Sequence, residues 1–219
     1  MPFDLELASS RGIVLKRFSW QENGVLAVVF SEGFGKIILS DPLMKKKERL
    51  GGKTDLFSLI EFTFIKNDRT EYQRLVMAES LDKFMWVYRD PLSLALASLL
   101  TEVVDKVYPV FSKQAEVFEL LKFFFSFSEN KLSIDEIFFR MIFFLVRLTL
   151  FLGGGFLDVN ENIKQSDVDT SEGSFNPNIL ERWFSGESDI KKILKGLVKN
   201  IENHWDINLQ SKKVLYQLM

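Results

Sequence analysis

Hydrophobic and polar positions change period near residue 80. Before it, short β-branched and aromatic runs alternate with polar turns: "GIVLKRF" and "VLAVVF" flank "SWQENG", and "GFGKIILS" follows at once. Such runs, bounded by turn formers, predict strands. The glycines at 33 and 35 suit a tight hairpin turn that needs positive φ. "LFSLIEFTFIK" alternates, with Phe57, Leu59, Glu61, Thr63 and Ile65 on one face and Leu56, Ser58, Ile60, Phe62 and Phe64 on the other. "NDRT" then turns the chain into "EYQRLVMAES", a fifth strand. Five short antiparallel strands within about 70 residues predict a small closed barrel, for which the OB-fold is the leading candidate.

After Pro91 the apolar spacing becomes helical. "DPLSLALASLLTEVVDKVY" has Asp90 as N-cap and Pro91 as first helical residue, and Pro109 marks its end. "SKQAEVFELLKFFFSFS" opens on Ser112 as cap. "SIDEIFFRMIFFLVRLTLFL" opens on a capping box, Ser133 with Glu136, and stops at Gly153, Gly154 and Gly155. A polar acidic loop follows over 158–178, then helices in "NILERWFS", "SDIKKILKGLVKNIENHW" and "SKKVLYQLM". The expected class is α+β: a five-stranded barrel domain over 1–80 and an all-α bundle over 81–219.

Composition removes several chemistries. With no cysteine, thiolate zinc sites and cysteine nucleophiles are excluded, and one histidine, His204, supplies no multi-histidine metal site. No cofactor is expected. "MPFDLELASS" lacks the basic-then-apolar order of a signal peptide. Arg140 and Arg147 cut the most apolar segment, 137–157, into pieces shorter than the ~20 residues of a membrane helix, so it reads as a core helix. "GGKTD" lacks the earlier glycine of a phosphate loop and lies between strands, while the triple glycine precedes an acidic loop rather than a helix. His204 reads as a capping or packed side chain. No nucleophile–base pair stands out among the 30 carboxylates and this one imidazole, so the chain reads as non-enzymatic.

Charge is placed unevenly. Residues 1–80 hold 12 Lys and Arg against 11 Asp and Glu, a net of +1, although the whole chain carries −2. The excess concentrates in "MKKKERLGGK", where Lys45, Lys46, Lys47, Arg49 and Lys53 face Glu48 alone. An isolated lysine run is ordinarily a solvated loop. Here it joins Arg11, Lys16, Arg17 and Lys36 on the first hairpins and Arg69 and Arg74 on the last, with Phe18, Trp20 and Phe34 in or beside the turns. Cations for a backbone and rings for bases are what single-stranded nucleic acid requires. The residues alone leave two readings open: nucleic acid, or an acidic protein partner bound by a non-enzymatic adaptor.

"RGIVLKRFSWQENGVLAVVFSEGFGK" resembles the amino-terminal signature of the bacterial RecO family of recombination mediators, with Arg11 to Leu15, Glu22, Leu26, Phe30, Glu32, Gly35 and Lys36 at the matching places. "RLGGKTDLFSLIEF" is similar to that family's Arg-Leu-x-Gly segment, and "HWDINLQSKKVL" to its closing pattern. The resemblance implies binding of single- and double-stranded DNA, annealing of complementary strands, and action with RecR to place RecA on DNA coated by single-strand-binding protein. It implies a cytoplasmic, nucleoid-associated protein with no membrane partner. It also implies that the helical domain holds the acidic, hydrophobic tail of the single-strand-binding protein. Arg140 and Arg147, seven apart on one helix face, are the candidates for that tail; salt bridges at a core edge are the plainer role for both. Three departures are visible, one of them Met44 at a basic place of the family. The four zinc-binding cysteines of many family members are missing, so no metal is expected, and Asp41-Pro42 replaces a common Lys-Gly pair.

Overall fold

The computed structural model describes residues 6–20, 24–41, 54–126, 134–152 and 187–219. Five strands, β1 (Leu7–Trp20), β2 (Gly24–Ser31), β3 (Gly35–Asp41), β4 (Leu59–Ile65) and β5 (Tyr72–Asp82), close a barrel in the order β1-β2-β3-β5-β4. Every pairing is antiparallel except the closing one, where β3 meets β5 in parallel over Ile38–Tyr72, Leu39–Gln73 and Ser40–Arg74. The interior is apolar: Val14, Ala27, Val29, Ile37, Leu39, Ile60, Phe62, Phe64, Leu75 and Ala78 are all buried.

The expected alternation of β4 holds from Ile60 to Phe64 and fails at Phe57. That ring is 1% exposed because φ of 63° turns the backbone and swings it inward, while its N–H donates to the Val14 carbonyl. The glycine reading of the β2–β3 turn holds at Gly35, whose φ is 68°. The Ser31 hydroxyl closes the turn by donating to the Gly35 carbonyl and accepting from the Phe34 N–H.

After a 3-10 turn (Met85–Tyr88), five helices occupy the described residues: α1 (Pro91–Val107), α2 (Ala115–Phe125), α3 (Ile134–Phe151), α4 (Glu187–Trp205) and α5 (Ser211–Leu218). Asp90 caps α1 by accepting from the Ser93 N–H at 2.8 Å and the Ser93 hydroxyl at 2.6 Å. Ser112 does not start α2, which begins three residues later at Ala115. The preceding chain is committed elsewhere: Val110 bridges Lys36 of β3, and the Phe111 N–H donates to the Lys36 carbonyl at 2.7 Å. The capping residue Ser133, the triple glycine, the acidic loop and "NILERWFS" lie outside the described residues.

The chain forms two compact units, one of residues 1–87 with 101–122 and one of 88–100 with 123–219. In the first, the Phe30 ring on the outside of β2 meets Tyr108 edge-on at 5.6 Å. Burial, and then the charge of Glu116, pushes the Tyr108 hydroxyl up to about 12 from its ordinary value of 10. Folding therefore favours the neutral phenol, so this contribution is complete below pH 10 and is lost as pH rises toward 12. A displacement of that size corresponds to roughly 2–3 kcal/mol. Tyr108→Phe is expected to keep stability at pH 7 and to lose less between pH 10 and 12, measured by urea unfolding.

In the second unit the faces of α3 and α4 carry the core, with Ile142, Phe144, Leu145 and Leu148 of α3 and Leu194, Leu197, Val198 and Ile201 of α4 fully buried. The Glu202 carboxylate accepts from the Leu209 N–H at 2.7 Å and pairs with Lys212, which fixes the turn into α5. Among the described residues no helix is long and apolar enough to cross a membrane.

Candidate nucleic-acid interface

The cations singled out on the barrel divide into two groups. Arg11 makes a two-pronged pair with Glu32, Nε and Nη2 donating at 3.1 and 3.2 Å. Lys36 has a side chain only 12% exposed, and its ammonium donates to both the backbone carbonyl and the carboxylate of Asp105. Arg17 shares Asp55 with Lys83, at 3.5 and 3.1 Å. These three are bound to carboxylates within the same unit. Lys16 lies 3.8 Å from Asp105 with its side chain 60% exposed, which is a weak, solvated pair. Arg69 and Arg74 are exposed and have no ion-pair partner among the described residues. Lys45, Lys46, Lys47, Arg49 and Lys53 lie outside the described residues.

The exposed cations occur beside rings. Register places Phe18, Leu26, Ser40 and Arg74 in one row across β1, β2, β3 and β5, and Lys16, Val28, Ile38 and Tyr72 in the next. Partners in register share a face of a sheet. Each row thus carries a cation at one edge and a ring at the other. The Lys16 ammonium also lies 5.8 Å from the Phe18 ring centre. Trp20, the last residue of β1, meets Tyr72, the first of β5, with ring centres 5.9 Å apart. Phe34 belongs to the core instead, edge-on to Phe64 at 5.2 Å.

The turn that carries Arg69 is held from below. Gln73 is fully buried, and its amide donates to the carbonyls of Asn67 and Thr70 and accepts from the Asn67 N–H, which uses three of its four capacities. Asn67 in turn accepts from the Arg69 N–H at 3.0 Å. Arg69 and Tyr72 therefore stand on a turn with fixed backbone. Acidic side chains gather on another part of the outer surface, beside Arg11, whose register partner on β4 is Glu61. On the β4–β5 surface the exposed Glu61 and Glu79 lie directly opposite each other in register. Like charges in that position repel one another and any polyanion.

Residues 5–84 match the family model described as "Recombination protein O N terminal". The barrel is similar to the amino-terminal domain of RecO-family proteins. The match spans the five strands and stops before α1. No curated protein matches the chain. That likeness supports a role in DNA recombination and repair and agrees with a barrel of the OB type. Several RecO-family signature positions serve the fold itself: Arg11 and Glu32 pair with each other, and Lys36 binds Asp105. A side chain added at Gly12 would lie 2.4 Å from Val29 Cγ1, so that position is closed to anything larger.

Arg140 and Arg147 both project from α3. Arg140 donates to the carbonyls of Phe123 at 2.6 Å and Ser126 at 3.3 Å, closing the last turn of α2. It also pairs with Glu136 at 3.1 Å and lies 4.5 Å from the centre of the Phe123 ring. Burial lowers its affinity for the proton, against the opposing pull of Glu136. Arg147 lies over Phe151 at 5.0 Å. Among the described residues no group of three acidic or histidine side chains lies close enough to hold a metal ion.

Two features escaped the sequence. Tyr72 carries only a faint sequence signal, an aromatic residue that closes one loop while Trp20 opens another. Asp105 was invisible, because nothing in a helix 69 residues after Lys36 marks its acid as the partner of a β3 lysine.

Proposed function

We propose that the protein is a non-enzymatic recombination mediator, cytoplasmic and nucleoid-associated. Its barrel domain, residues 1–80, binds single- and double-stranded DNA and anneals complementary strands. It acts with RecR to load RecA on DNA coated by single-strand-binding protein. The observation that carries this reading is the RecO amino-terminal match over the whole barrel. The exposed Lys16, Arg69 and Arg74 support it, because they lie on the surface bounded by the β1–β2 and β4–β5 loops, which an OB-fold offers to oligonucleotides.

The mechanism needs no covalent step. Lysine and arginine side chains replace counterions along the phosphates and lower the repulsion between two strands brought together. Arg11, Arg17 and Lys36 enter this reading as cations that must exchange a carboxylate for a phosphate, so their share is smaller than that of the exposed side chains. Labelled single-stranded and duplex DNA titrated at two salt concentrations test it. The expected result is binding of both with a steep loss as salt rises. Salt-independent or absent binding would favour an adaptor for an acidic protein.

The helical domain is proposed to hold the acidic tail of the single-strand-binding protein through Arg140 and Arg147. Alanine at both positions is expected to weaken a tail peptide about tenfold, as losing charge-assisted hydrogen bonds does, and to leave DNA affinity unchanged. Equal loss of both ligands, in fluorescence-anisotropy titrations, would remove these residues from the tail site.

A further inference from the structure

We infer that Trp20 and Tyr72 form a stacking platform for unpaired bases, so that the barrel distinguishes single strands from duplex through its rings rather than its charges. This inference rests on the DNA-binding reading above and specifies how that surface takes its ligand. Trp20 and Tyr72 come from different strands, β1 and β5, and stand at the ends of different loops, yet their rings approach to 5.9 Å. The Tyr72 residue is 43% exposed and Phe18 is 40% exposed. A buried core has no use for rings with that much open surface. Leaving them in water costs free energy that a stacked base recovers.

The surroundings select the occupant. Arg74 follows Tyr72 by two residues on the same face of β5, and Lys16 precedes Phe18 by two on the same face of β1. Cation and ring thus recur together on both edges, in the order a single strand presents phosphate and base. An acidic peptide would satisfy the cations but not the rings. A duplex would satisfy the cations while its bases remain stacked on one another. The ring positions are also preset: Gln73, next to Tyr72, is the buried amide that fixes the β4–β5 turn. Little ordering remains for the moment of binding.

The test uses the full chain and three labelled probes of equal length at one salt concentration: oligothymidine, an abasic single strand and a duplex. Wild type is expected to bind oligothymidine roughly tenfold more tightly than the abasic strand, the scale of one stacked base. Tyr72→Leu is expected to remove that advantage while leaving abasic and duplex affinities and the salt slope in place. Tyr72→Phe, which keeps the ring, is expected to retain it, and the same pair of affinities is expected for Trp20→Leu as for Tyr72→Leu. Equal wild-type affinity for oligothymidine and the abasic strand would overturn the platform and leave DNA binding standing. A Tyr72→Leu loss shared by all three probes would overturn it as well, since a merely structural role predicts that pattern. Failure of wild type to bind any probe would overturn the DNA-binding reading and the platform with it.

Discussion

Gly35→Ala is expected to destabilise the barrel unit by roughly 2–5 kcal/mol. Two costs combine. At φ of 68° an L side chain is strained against its own backbone, by about 1–2 kcal/mol. The new Cβ would also stand 1.8 Å from the Ser112 carbonyl oxygen and 2.3 Å from its carbon. Backbone atoms cannot rotate out of the way, so residues 110–112 must move and give up the Phe111 N–H to Lys36 carbonyl bond. Overpacking of that kind adds roughly 1–3 kcal/mol. Gly33→Ala is the milder control on the same turn: its Cβ would meet only the Ser10 side chain, at 3.3 and 3.8 Å, and no backbone atom, although the Ser10 hydroxyl that must give way accepts the Gly33 N–H. Urea unfolding of both variants decides the matter. Matching midpoints for the two alanines would mean that the segment after α1 is not seated on β3.

The second large effect belongs to Lys45, Lys46, Lys47 and Arg49. Replacing all four with alanine removes up to four phosphate contacts and should flatten the dependence of log affinity on log salt by about 3–4 units. Extrapolated across one decade of salt, that is a loss of about a thousandfold near 0.1 M. The loss should be uniform across DNA sequences, because phosphate contacts carry no sequence information. Binding isotherms over a salt series, with two unrelated oligonucleotides, check both expectations. An unchanged slope would place these side chains outside the contact surface and shift the weight onto Lys16, Arg69 and Arg74.

The barrel was legible because its evidence is local. Alternation, the glycine turn and "NDRT" each constrain neighbours a few residues apart, and β2 to β5 form where those signals lie. Departures occur where distant chain intervenes. Ser112 has a capping side chain, but residues 110–112 are held on β3, and the helix waits until Ala115. Phe57 obeys a positive-φ turn rather than the period of β4. The candidate site was less legible for the same reason. A lysine reads identically whether it faces solvent, as Lys16 does, or a carboxylate from a remote helix, as Lys36 does. Arg140 illustrates the point on α3: its spacing from Arg147 was visible, but the α2 carbonyls it closes were not.

The attachment of residues 109–112 to the start of β3 bears on how this barrel can be excised. The family match ends at 84, which invites a cut there. Such a fragment would lose Tyr108 from the Phe30 ring, Asp105 from the Lys36 ammonium and Phe111 from the Lys36 carbonyl. It would present an uncovered phenylalanine and an orphaned cation on one wall, inviting self-association. The compact unit that holds the barrel takes in residues 101–122 as well, so the cut at 84 removes part of it.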